Sequence, residues 1–245
     1  MKTTKLIIVM GIVLVFCQSF AQGPTKGKTT SAFANHQTSE TANQHELYSG
    51  GAIYSDFKLE GTAGSAYLIG DWQEGIIIMK DNTVISGNKY RYNIYTQQMQ
   101  FISNEDTMAV ANPGEVKFIQ FADKVFVHTD YYCKNELKQG YFELLEDGEC
   151  SLLKRWVVSY RLVDGEAKQR LSASNDSEEF IRECSCFLKF GDQPAMALKS
   201  RKKEFINCFD EDSEQISAYM KRGKLKHKDQ DDLLGIVSYY NQLHR

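Results

Sequence analysis

Catalysis or ligand binding needs titratable, nucleophilic, metal-binding or aromatic side chains at spacings that a fold can bring together, so these residues come first. There are five histidines: His36, His45, His128, His227 and His244. His128, in Val125-Phe-Val-His-Thr-Asp130, has an aspartate two residues on and could act as a base or a ligand, although a lone histidine at a strand end is also an ordinary surface or core residue. Glu143, Glu146, Asp147 and Glu149 gather around one hairpin. Paired carboxylates are what glycoside hydrolysis requires, but acidic turn residues are commonly solvated decoration. Cys184-Ser-Cys186 is open to a metal or redox reading, yet Cys-x-Cys lacks a second ligand pair and has no histidine near it in sequence. No His-Glu-x-x-His, Gly-x-Ser-x-Gly, phosphate-loop or calcium-loop pattern occurs. The sequence therefore assigns no catalytic residue, no metal ligand and no cofactor. Aromatic residues are abundant, and some of them can line a groove for an apolar ligand, a glycan or a peptide. Trp72, set in an Asp-Trp-Gln-Glu-Gly turn, is the binding candidate along with Tyr92 and His128.

The elements that must position these residues follow from hydrophobic periodicity. The chain has 245 residues, 42% of them hydrophobic and 25% charged, with 3 prolines, which is globular composition for one or two domains. From Leu47 on, short β-branched and aromatic runs alternate with polar or glycine-containing turns about every ten residues, the punctuation of antiparallel meanders and barrels. Tyr90-Arg-Tyr-Asn-Ile94 alternates as a strand wet on one face would. Gly87-Asn88, Asn112-Pro-Gly-Glu115, Asp147-Gly148 and Asp164-Gly165 read as turns. A last strand pair, 186–190 and 195–198, is expected to close the sheet. After Lys199 the period shifts to about 3.6. Three short helices are expected: one over 200–208, one from Asp212 with a capping box to Gln215, and one from Asp229 down to Leu243. The fold class is therefore α+β: a barrel-like or strongly curved, mostly antiparallel sheet over 48–198, with a helical segment over 199–245 packed against it.

The N-terminus carries an address. Lys2 and Lys5 precede an apolar run from Leu6 to Cys17, and Ser19-Phe-Ala21 places small residues at the cleavage positions of a signal peptide, so residues 1–21 are expected to be removed. The run is too short to span a bilayer, and nothing later in the mature chain is apolar enough to do so. Residues 22–47 hold too few large apolar side chains to order themselves and read as a flexible polar leader. Five cysteines remain after Cys17: Cys133, Cys150, Cys184, Cys186 and Cys208, an odd number for an oxidising compartment, with no pairing fixed by spacing. The formal charge of −3 becomes −5 when Lys2 and Lys5 leave, which disfavours nucleic acid as a partner. Basic residues concentrate at Lys199, Arg201, Lys202 and Lys203 and again from Lys221 to Lys228. They could form a patch for anionic envelope polymer, nucleic acid or lipid head groups. The interposed block Asp210 to Glu214 and Asp229, Asp231 and Asp232 make complementation of helix dipoles the plainer reading.

Three stretches, Tyr67-Leu-Ile-Gly-Asp-Trp-Gln-Glu-Gly75, Lys89-Tyr-Arg-Tyr-Asn-Ile-Tyr95 and Tyr141-Phe-Glu-Leu-Leu-Glu-Asp-Gly148 with Leu152-Leu-Lys154, resemble a broad group of uncharacterised secreted and envelope proteins of bacteroidete-type bacteria. The tail, Lys202-Lys-Glu-Phe205 with Asp232-Leu-Leu234 and Tyr239-Tyr-Asn241, is similar to their usual end. The resemblance spans roughly residues 60 to 243 and rests on aromatic, glycine and turn positions. It implies a β-rich fold and a secreted or periplasmic location, and brings no catalytic residues. The expected function is an interaction or binding module of the cell envelope with a protein, glycan or lipid partner. The alternatives are an extracytoplasmic hydrolase with a carboxylate or histidine site, and a structural component of an envelope assembly.

Overall fold

A computed structural model describes residues 64–103, 105–163 and 177–245. The expected signal segment, the polar leader and the Asp164-Gly165 turn lie outside the described residues. Among those described, ten strands form one antiparallel sheet: β1 (Gln73–Met79), β2 (Val84–Asn93), β3 (Gln98–Ser103), β4 (Asp106–Ala109), β5 (Val116–Phe121), β6 (Lys124–Cys133), β7 (Glu136–Glu146), β8 (Cys150–Val163), β9 (Ser177–Phe190) and β10 (Met196–Ala197). Their spatial order is β10-β9-β8-β7-β6-β5-β1-β2-β3-β4. Three α-helices follow: α1 (Lys202–Ile206), α2 (Ser213–Gly223) and α3 (Gln230–Leu243). The fold is α+β, a strongly curled antiparallel sheet followed by a helical region.

Curling gives the sheet two separate cores. Side chains alternate across a strand, and the adjacent residues Tyr141 and Phe142 of β7 fall into different clusters. Tyr141 joins Tyr92, Met99, Phe101, Phe121 and Phe126, packed against Trp156 and Val158 of β8. Phe142 joins Tyr131, Leu153, Phe187 and Ala195. This second core is enclosed because Ala195, just before β10, bridges back to Tyr131 of β6 in parallel. The Ala195 amide donates to the Asp130 carbonyl at 2.8 Å and its carbonyl accepts from the Tyr132 amide at 3.0 Å, so β6 to β10 form a small closed ring.

The helices bury a third apolar surface. Ile216 and Met220 of α2 and Leu233, Ile236, Val237 and Tyr240 of α3 pack with Phe205 and Phe209 on Cys150, Leu152 and Leu188. Helices this short gain most of their stability from such packing. α1 is barely more than one turn and passes into a 3-10 segment over Asn207–Asp212 that kinks at Asp210, leaving two full helices where three were expected. Asp229 caps α3 as its position predicts, accepting from the Asp231 amide at 3.1 Å and the Asp232 amide at 3.0 Å. Asp212 makes no such cap. The Asp212 carboxylate turns instead to Gln215 Nε2 at 3.3 Å and His244 Nε2 at 2.8 Å.

Two local expectations are corrected, and one strand runs through a break in the apolar pattern. Gly87-Asn88 is not a turn: β2 runs through it, and Gly87 takes φ +85° opposite a register shift at Gly75/Ile76, so the glycine serves a bulge. The face of β2 bearing Arg91 and Asn93 is not wet. Both residues are buried because the stretch from Ala66 to Leu68 pairs alongside, with Leu68 N donating to Tyr92 O and Ile94 N to Ala66 O. Finally, 150–153 and 156–163 are one strand: Lys154-Arg155 interrupts the apolar pattern without interrupting the ladder.

Candidate functional site

Each candidate side chain sits in a local cluster. Trp72 is half-buried and lies against Arg91, whose guanidinium carbon is 4.1 Å from the Trp72 ring and 4.0 Å from the Tyr67 ring. Arg91 is 5% exposed, and its Nε donates to Gln100 Oε1 at 3.0 Å. A buried cation is costly unless its charge is met. Here two negative ring faces and an amide oxygen meet it. Trp72 thus covers an internal charge.

Tyr92 projects from β2 into the first core and is fully buried. Burial raises its phenol above the usual range. Its hydroxyl donates to Gln97 Oε1 at 3.1 Å, which also accepts from Arg155 Nη2 at 3.3 Å. The Gln97 amide donates to the Ile94 carbonyl at 2.6 Å and the Trp156 carbonyl at 3.0 Å. Gln97, a turn residue by sequence, ties the β2–β3 hairpin to β8.

His128 lies within β6, and its ring meets Tyr141 edge-on at 4.9 Å. Burial lowers its pKa; Asp130 opposes that shift and Lys80 adds to it. The imidazole is therefore neutral near pH 7. The Tyr141 ring also meets Tyr92 at 5.8 Å, so two of the three candidates share one aromatic neighbour. The Tyr141 hydroxyl is buried without a hydrogen-bond partner, and burial raises its pKa. Trp72 attends Arg91, whose position next to Tyr92 on β2 directs it to the opposite face.

Glu143 is separated from the rest of its acidic hairpin. It is 7% exposed, with Oε2 accepting from Trp156 Nε1 at 2.6 Å and Oε1 from Lys124 Nζ at 2.9 Å. The ion pair joins β6 to β7 and the indole bond joins β7 to β8. Glu146 is half-buried, and burial raises its pKa against the lowering effects of a Ser238 hydrogen bond and Arg245. Asp147 and Glu149 are exposed.

The turn between β7 and β8 docks the last helix. Asn241 of α3 accepts from the Cys150 amide at 2.8 Å and donates to the Cys150 carbonyl at 2.9 Å. A Cβ on Gly148 would come within 2.5 Å of the Asn241 amide group, so the turn needs glycine there for close approach.

The five described cysteines are free thiols. Cys184 and Cys186 share one face of β9, paired in register with Trp156 and Lys154 of β8. Burial raises the Cys186 thiol. Among the described residues, no group of three His, Cys, Asp or Glu side chains is placed to hold a metal ion. No described helix is long and apolar enough to cross a membrane.

Sequence reasoning found the titratable residues but not their partners. Arg91, Gln97, Lys124 and Asn241 were missed, because the signal for each is a tertiary neighbour; only Arg91, between two aromatic residues on a strand, carried a local hint. No protein-family model, curated protein or solved structure matches this chain.

Proposed function

We propose that the protein is an exported binding module of the bacterial cell envelope, akin to the secreted proteins its aromatic and turn pattern resembles. The signal-peptide pattern read in residues 1–21 supports the compartment. The observation that carries the binding reading over the hydrolase reading is the commitment of Glu143: both of its oxygens are engaged by Trp156 and Lys124 within the sheet. A general acid or nucleophile needs an oxygen directed at substrate. Glu143 instead holds three strands together, and His128 packs on a core tyrosine. The other acidic residues of that hairpin face solvent or α3.

Two measurements test this reading. N-terminal sequencing of protein recovered from the envelope or medium of its host should begin at Gln22; an intact Met1 would refute export. Native mass spectrometry of the same material should show extra mass that is lost on denaturation, the mark of a retained partner. A glycan-hydrolysing activity abolished by Glu143→Gln with the melting temperature unchanged would replace binding with catalysis.

A further inference from the structure

We propose that the two basic segments of the helical region form a single surface that docks on anionic phospholipid head groups. In sequence these segments are about twenty residues apart. In the structure the His227 ring joins them: Nε2 lies 3.3 Å from the Ser200 carbonyl, and the ring stacks on Phe205 at 5.2 Å. Lys199, Arg201, Lys202 and Lys203 therefore neighbour the turn that carries the five cations between Lys221 and Lys228, and all nine are exposed.

The acidic residues offset only part of this surface. Asp210, Glu211, Asp212 and Glu214 lie at the N-terminal end of α2, whose eleven residues span about 16 Å. That places them roughly two Debye lengths from Lys221 and Arg222 at physiological salt, whereas Asp210 lies nearer the first segment, since it and Lys199 both act on the Cys208 thiol. The carboxylates nearer the cations are engaged: Glu204 pairs with Arg201 at 3.1 Å, Asp229 caps α3, and Asp232 accepts from the Lys226 amide at 2.9 Å.

Helix dipoles explain only part of the pattern. Lys221 and Arg222 occupy the last turn of α2, where cations are favoured. Arg201, Lys202 and Lys203 stand at the start of α1, and Lys226 and Lys228 just precede α3, where a helix favours anions. Gathering like charges at those positions opposes folding through mutual repulsion, which an anionic partner would relieve.

Charge distribution selects the partner. Nine cations against Glu204, Asp210, Asp229, Asp231 and Asp232 leave this surface four positive, so the remainder of a −5 mature chain carries −9. A long polyanion lying along the molecule would meet that negative remainder, whereas a flat anionic membrane touched by one end would not. Lysines outnumber arginines seven to two here, which suits diffuse attraction to head groups rather than bidentate recognition of single phosphates. Base-stacking platforms are not on offer: Tyr219, the aromatic residue beside Arg222, is stacked face to face on Tyr239 at 4.1 Å.

This inference deepens the binding-module reading and rests on it only for the compartment. Vesicle binding tests the surface and N-terminal sequencing tests export, so either can fail alone. The mature chain should sediment with phosphatidylcholine vesicles containing about one-third phosphatidylglycerol at roughly 50 mM salt and be released at roughly 500 mM. It should ignore vesicles of phosphatidylcholine alone. The double reversals Lys202→Glu/Lys203→Glu and Lys226→Glu/Lys228→Glu should each weaken binding roughly tenfold or more, with melting temperatures no lower than wild type. Wild-type protein that ignores anionic vesicles, or that binds both vesicle types equally, overturns the proposal without recourse to variants. So does a loss confined to one of the two reversals, which would mean the segments do not act together. Retention on DNA or heparin without vesicle binding would move the surface to a different polyanion and equally sink the membrane assignment.

Discussion

The chain has two tryptophans, and each attends a buried charge in a different region of the sheet. At the β2 end, Trp72 offers its ring face to the Arg91 guanidinium, with Tyr67 also against it and Gln100 accepting from Nε. At the β7–β8 crossing, Trp156 offers its N–H edge to the Glu143 carboxylate, with Lys124 completing the shell. The indole quadrupole, negative on the face and positive at the edge, explains why the same residue type can serve opposite charges. The two solutions differ in what they demand. A cation over a ring tolerates small displacements, whereas a hydrogen bond to a carboxylate depends on one atom.

That difference can be broken experimentally, starting where one atom matters most. Trp156→Phe keeps an aromatic ring but removes the donor to Glu143, and should cost about 2–3 kcal/mol in urea unfolding. In that background Glu143→Gln should cost less than it does in the wild type, a coupling of about 1 kcal/mol or more; additive effects would mean that the indole bond carries no energy. Next is Arg91→Lys, expected to lose about 1–2 kcal/mol because an ammonium on a flexible stem cannot reproduce the planar stack and the bond to Gln100. Arg91→Met, which removes the buried charge and keeps the stem, should fall within about 1 kcal/mol of wild type. If methionine proves the worse replacement, the aromatic pair is stabilising the cation more than desolvation penalises it. Trp72→Phe should cost about 0.5–1 kcal/mol, since a smaller face still covers the guanidinium.

The smallest effect is a pH dependence. Burial holds the His128 pKa below its unfolded value of about 6.5, so between those two values the unfolded chain binds more protons. Stability should therefore fall as pH drops below about 6.5, and His128→Gln should flatten that part of the melting-temperature profile. Glu146, with its pKa raised by burial, contributes a slope of the opposite sign just above the carboxylate range. The comparison of variant with wild type isolates the histidine.

Fold class was legible because period two and period 3.6 are written in local sequence, as in Tyr90-Arg-Tyr-Asn-Ile94 and in Leu233, Ile236, Val237 and Tyr240. Strand continuity was less so. Gly87 has the residue type of a turn, and only its partner strand makes it a bulge. Lys154-Arg155 reads as a break, yet it lies in a strand whose cations engage other parts of the chain: Lys154 reaches Gln230 Oε1 at 2.7 Å and lies over the Trp156 ring. The surroundings of the candidate residues were hidden on the same ground. Composition marks Trp72, Tyr92 and His128 as capable of binding, but whether an aromatic face meets solvent or Arg91 is decided by a segment about twenty residues away in sequence. The basic surface is the converse case: both runs are plain in sequence, and only the His227 contact makes them one.

The ring closed by Ala195 bears on how this protein avoids its own kind. An open sheet end is a template on which a second copy can continue the ladder, the first step of edge-to-edge aggregation. Here the chain turns its last two-residue strand inward and gives the adjoining amide and carbonyl of Ala195 to β6. Pro194, immediately before, has no N–H to donate to a newcomer. That end of the sheet is thereby removed, by geometry rather than by charge, from the surfaces on which fibrils could begin.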